Sequence, residues 1–137
     1  DGMEYLTSAH KYDSRKSEVG EIIKAIKIIP KDNNVPIILT VSTSREGDLR
    51  VNKRPMIRDL DDWEPLASDL ANVVLILYRP EVYDIAEDNP EKGIEEVIIA
   101  KNIYGSKTTL KLAYLDKCCA FFNLEKYEEE GDPPELN

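Results

Sequence analysis

The run VPIILTV (35–41) passes directly into STSREGDLRVNKRP (42–55), and the fold turns on how this junction is read. The first part is apolar almost throughout, the pattern of a parallel strand covered on both faces. The second part is polar and basic, carrying Arg45, Arg50, Lys53 and Arg54, with Arg58 close behind. Open α/β sheets hold ligands outside the carboxyl ends of their strands, so this loop falls where a ligand is expected. A second run, NVVLILY (72–78), has the same character and follows a helix-like segment, 61–70. Two such strands and their crossovers predict an α/β sheet with central parallel strands and flanking helices.

Upstream, Asp13 or Ser14 can cap a helix whose apolar residues Val19, Ile22, Ile23, Ile26 and Ile29 recur at helical spacing. Pro30 and the Asp32-Asn33-Asn34 cluster are expected to stop it, because proline lacks a donor and asparagine favours turns. Downstream of Tyr78, RPEVYDIAEDNPEKG (79–93) is a polar excursion. The segments 95–100 and 108–114 flank a turn around Gly105 and predict a β-hairpin, and 119–122 can form one more short strand. The segment 125–137 is acidic, carries adjacent prolines and reads as a disordered tail after a domain spanning 1–124.

A chain of 137 residues with 42% hydrophobic content can build a single core. Its net charge of −9 argues against general affinity for nucleic acid or anionic membrane, so any such contact must be local. No apolar run approaches the roughly 20 residues that span a bilayer, and the expectation is a cytoplasmic protein. Cys118 and Cys119 are the two cysteines, too few for a disulfide framework or a four-ligand zinc site. Strand alternation predicts one of them in the core and the other outside it. His10 is the single histidine and has no second imidazole with which to form a metal site or a triad.

Other candidates have plain structural readings. Glu18 and Glu21 lie on the helix and are expected to form ion pairs with cations three or four residues away rather than a catalytic carboxylate pair. Trp63, Tyr78, Tyr83 and Tyr104 lie outside any basic stripe and read as core or subunit contacts rather than base-stacking platforms. Asp84, Glu87, Asp88 and Glu91 lack the spacing and central glycine of a calcium loop and read as solvated.

The order of DGMEYL (1–6), SEVGEIIKAIK (17–27), VPIILTVS (35–42), NKRPMIRDL (52–60), NVVLILYRPEVY (72–83) and GIEEVIIAKNIYG (93–105) resembles the C-terminal part of the RecA-like ATPase domain of DnaB-family replicative helicases. The resemblance covers 1 to about 122, most of the chain. It implies a partial RecA-like, P-loop NTPase-type sheet ending in a β-hairpin. It also implies a parent hexamer that hydrolyses ATP with Mg²⁺ while moving along single-stranded DNA. Asp1 takes the Walker B position, where a carboxylate holds Mg²⁺ or orients the attacking water. Lys101 takes the place of the hairpin lysine that reaches the neighbouring subunit's phosphates. Arg45, Arg50, Lys53, Arg54 and Arg58 fall on the DNA-channel loop.

Four features depart from the family pattern. No Walker A sequence G-x-x-x-x-G-K-[ST] is present, so the isolated chain is expected to hydrolyse no ATP, and it reads as a fragment. Ser42 stands at the nucleotide-sensing position that is usually glutamine. Ile103 stands where the hairpin usually carries an arginine finger. Asp61-Asp62-Trp63-Glu64-Pro65 replaces a loop rich in Gly, Ser and Glu that offers amides to phosphate.

Two functions therefore remain open. One is the motor fragment, with the basic loop on the DNA backbone. The other is a degenerate RecA-like binding or scaffold module, in which the same cations answer Asp48, Asp59 and Asp61.

Overall fold

The computed structural model describes residues 2–83 and 89–124. Asp1, the acids Asp84, Glu87 and Asp88, and the acidic segment 125–137 lie outside the described residues. The chain forms two compact units, Asp1–Asn72 and Val73–Asn137.

In the first unit, helix α1 spans Arg15–Asn33. Ser14 caps it from an extended backbone, and its Oγ accepts the Ser17 N–H at 3.2 Å. This satisfies one of the orphan donors of the first turn, so Ser14→Ala is expected to cost about 1 kcal/mol, measured by chemical denaturation. Val19 and Ile23 are buried, whereas Ile29 is 45% exposed, so the apolar stripe is used only over its first turns. Glu18 pairs with Arg15 and Glu21 with Lys24, each at 2.7 Å and three residues apart, as the helical spacing predicts.

The expectation that Pro30 ends the helix is corrected, because α1 runs three residues past it. Proline this close to a helix end forfeits little of the ladder that remains. The asparagine cluster supplies the stop: Asn33 Nδ2 donates to the Ile29 carbonyl at 2.9 Å, and Asn34 adopts the left-handed cap at φ 50°.

The segment 35–41 is not a strand in the structure, which corrects the central reading of the sequence. A strand exists through its ladder. Here the Met3 N–H donates to the Thr40 carbonyl at 2.8 Å, but among the described residues no adjacent segment continues the pairing. Ile38 is accordingly 93% exposed. The helix-like segment 61–70 is also not α-helical. A 3-10 stretch, Ile57–Trp63, is broken at Asp61 (φ 50°, ψ −122°), and a π-helical turn covers Leu66–Leu70. Trp63 is buried, with the Arg15 guanidinium 5.8 Å from its ring centroid.

The second unit is a four-stranded antiparallel sheet in the order β1-β2-β3-β4, made of Val73–Tyr78, Ile94–Asn102, Thr109–Leu115 and Ala120–Asn123. Parallel pairing is absent among the described residues, and β1 is not covered on both faces: Ile76 and Tyr78 are buried while Leu75 and Leu77 are exposed. Continuous apolarity thus reports neither the direction of pairing nor the number of covered faces; the partner strand decides both. A short helix, α2 (Pro80–Tyr83), follows β1, and Tyr83 stacks on Tyr78 with centroids 5.5 Å apart.

The predicted β2–β3 hairpin and the short β4 are both present, with β2 extending further than its apolar core suggests. The cysteine expectation is corrected: Cys118 and Cys119 are both exposed, because they occupy the turn before β4, and Cys119 takes φ 51° there.

Candidate nucleic-acid interface and hairpin

The basic loop is closed by a salt bridge that the sequence does not announce. Arg50 grips Asp59 through two parallel hydrogen bonds, Nη1 to Oδ1 at 2.7 Å and Nη2 to Oδ2 at 2.5 Å, the fork geometry that suits guanidinium and carboxylate. Asp59 is buried, and its Oδ2 also accepts the Met56 N–H at 2.7 Å. Its backbone carbonyl takes the Ser44 N–H at 2.6 Å, so one residue ties both ends of the loop. The Arg50 hydrogen bonds hold the Asp59 carboxyl below its usual range, burial opposes this, and the Met56 N–H adds to the lowering.

The other cations divide by exposure. Lys53 Nζ donates to the Asp48 carbonyl at 2.5 Å, and Arg50 Nη2 donates to the Arg54 carbonyl at 3.1 Å, so Lys53 and the Arg54 backbone help shape the loop. Arg45 and Arg58 are exposed. The sequence grouped five cations as one patch; the structure assigns Arg50 to closing the loop and leaves Arg45 and Arg58 open to solvent. Ser42 sits just before the loop, and its Oγ donates to Glu4 Oε1 at 2.6 Å, which holds the Glu4 carboxyl below its usual range.

In the second unit, Lys101 stands one residue before the end of β2, past the last residue paired with β3. The pairing with β1 slips there: Leu75 faces Ile99 and Val74 faces Lys101, leaving Ala100 as an extra residue. This bulge decides which β1 residue Lys101 stands opposite, and such bulges commonly re-aim a side chain beside a functional site. Beyond it, Ile103 and Tyr104 are exposed at the tip, where the Tyr104 N–H donates to Asn102 Oδ1 at 3.0 Å.

Arg79, which the sequence reading passed over, organises the opposite end of β1. It pairs with Glu81, with Asp116 at 3.0 Å and with Glu95 at 3.6 Å, and its guanidinium lies 4.3 Å from the Tyr114 ring centroid. Glu81 Oε2 also accepts the Gly93 N–H at 2.8 Å, and the Arg79 and Gly93 bonds lower its carboxyl while burial works against them. Glu95 is buried and burial raises its carboxyl, the Arg79 charge opposing. The one sequence sign of this hub is an arginine directly after an apolar strand, which periodicity cannot interpret. Among the remaining acids, Glu91 pairs with Lys111 at 2.9 Å.

Residues 1–123 match the model of the DnaB-like helicase C-terminal domain. The chain belongs to this family. It is 37% identical over 128 residues to the replicative DNA helicase DnaC of Bacillus subtilis, covering 93% of this chain and 28% of that protein. It is 34% identical over 127 residues to the replicative DNA helicase DnaB of Geobacillus stearothermophilus, covering 93% and 27%. The DnaB-like chain therefore spans little more than a quarter of these relatives.

Among solved structures, a DnaB-like replicative helicase, described together with its interactions with primase, superposes with a TM-score of 0.81 at 34% identity, covering 90% of this chain and 30% of that one. A second structure, of a separate ATPase domain, gives the same score and identity over 90% of this chain and 43% of its own. These neighbours are helicase ATPase domains, which agrees with the RecA-like assignment although the sheet described here is antiparallel.

DnaB-family helicases in general use ATP and Mg²⁺. Among the described residues no three His, Cys, Asp or Glu side chains converge to hold a metal ion. The phosphate-cradling loop is not in the sequence. Among the described residues no helix is long and apolar enough to cross a membrane.

Proposed function

We propose that this chain is the DNA-facing and subunit-bridging portion of a replicative helicase that works as a cytoplasmic hexamer, hydrolysing ATP with Mg²⁺ and moving along single-stranded DNA. The observation that carries this is the loop 44–59, closed at its base by Arg50 and Asp59 while Arg45 and Arg58 stay exposed. A closed base fixes the loop without spending its outer charges, so those charges are available to phosphates with no reading of bases. In this reading Arg45 and Arg58 touch the backbone, Lys53 and Arg54 line the same loop, and Arg50 holds its shape.

Lys101, aimed by the bulge, reaches toward phosphates bound by the adjacent subunit, and Asp1 supplies the Walker B carboxylate. Ser42 occupies the sensing position and is linked to the Walker B end through Glu4. The parallel strands of a RecA-like core belong to the intact protein, where 35–41 gains neighbours on both sides and its exposed Ile38 is covered.

The test is binding of single-stranded oligonucleotide by the intact protein across a salt series. Replacing Arg45 and Arg58 together by alanine is expected to weaken binding for every base composition and to flatten the log–log salt slope by about 0.7 for each phosphate contact removed. An unchanged slope returns the loop to the scaffold reading, in which a RecA-like module binds a protein partner and hydrolyses nothing. ATPase activity that survives Asp1→Asn would remove that aspartate from the Walker B role.

A further inference from the structure

The turn joining β3 to β4 carries the chain's two cysteines as neighbours, both exposed and free. On a continuing strand, adjacent side chains point to opposite faces. Here the left-handed backbone of Cys119, φ 51°, ends that alternation. The Cys118 N–H and thiol both reach the Leu115 carbonyl, at 3.3 and 3.8 Å, and those of Cys119 reach the Asp116 carbonyl, at 3.4 and 3.6 Å. The accepting carbonyls belong to consecutive residues, so each thiol is tethered to the backbone of the same turn. The turn is anchored as well, since Asp116 is held by Arg79 at 3.0 Å.

From the geometry of this turn we propose that Cys118 and Cys119 form a chelating dithiol site for a thiophilic trivalent arsenical. Soft thiolate pairs select soft centres, and two exposed thiols on adjacent residues of one anchored turn lose little freedom when a single centre takes both. The reaction is a condensation with no change of oxidation state. An arsenoxide R–As=O takes the two thiols, two As–S bonds form, the As=O bond is lost, and the two thiol protons leave with its oxygen as water. The site does not depend on the helicase reading, because it uses neither the basic loop nor Lys101.

The probe is phenylarsine oxide at one equivalent under native conditions, followed by intact mass and by titration of the remaining thiols. The expected result is one phenylarsenic group per chain with loss of both titratable thiols. The adduct should survive excess monothiol and be released by 1,2-ethanedithiol. Cys118→Ser and Cys119→Ser should each give an adduct that a monothiol removes, at least tenfold faster than from the parent chain. Reaction only after urea is added, thiols that stay titratable, or a parent adduct as labile to monothiol as the serine variants would each overturn the proposal. The parent chain's own release by dithiol against monothiol decides the matter even where a serine variant fails to fold.

Discussion

Under the proposed function, replacing Lys101 by alanine in the intact protein is expected to lower ATP hydrolysis by about 10²–10³-fold without changing the protein's assembly state. That is the range seen when one preorganised group that stabilises developing charge is removed from an active site. The basis is positional. Lys101 sits on β2 directly after the extra residue Ala100, and the slip between Val74 and Leu75 sets the β1 residue it faces. Ile103, two residues on, is exposed and uncharged, and the other cation of the turn, Lys107, is exposed on its far side, so Lys107→Ala is the matched control for loss of a tip charge. A full-length Lys101→Ala protein that assembles normally and keeps its rate would withdraw Lys101 from the chemistry. Deleting Ala100 probes the same geometry through the backbone, because it leaves Lys101 opposite Val74 while removing the local bend that the extra residue imposes.

The second large effect falls on the first unit. Asp59→Ala is expected to lower its thermal midpoint by more than about 5 °C, since Arg50 keeps a charge whose partner is gone and the ends of the loop lose a shared tie. Trp63, the single tryptophan, lies buried in this unit and reports the transition by fluorescence. Arg45→Ala, at an exposed position, should leave the midpoint nearly unchanged.

The pH dependence carries the sign. Arg50 depresses the folded pKa of Asp59 below its unfolded value of about 3.9. The stabilisation is therefore complete above that value and disappears as pH falls through the lower folded one. Asp59→Asn should remove this part of the acid transition. An acid limb identical in Asp59→Asn and the parent would show that the pair contributes nothing to folding.

Much of this chain is legible in one dimension because local features answer local rules. Ser14 before a helical stripe, asparagines after it, and a short apolar run before Gly105 with an alternating one after it each specify an element from residues close in sequence, and each element is present. Family membership was equally readable from short strings in order, and the match over residues 1–123 bears it out. What was misread depends on partners. The run 35–41 has the composition of a buried strand, but composition cannot supply the adjacent backbone that makes a ladder. The run at β1 is a strand, yet its antiparallel pairing with β2 and its one covered face come from where β2 lies.

Arg50 and Asp59 are nine residues apart, a spacing that belongs to no helical or strand period, and only the closed loop brings them together. Arg79 and Asp116 are separated by 37 residues and meet because β1, β2 and β3 pair in register. The sequence by itself determined the helix, the hairpin, the family and the types of residue available for chemistry. The tertiary structure alone decided which cations are consumed in holding the fold and which remain exposed, because burial and pairing depend on distance in space and charge does not reveal its partner along the chain.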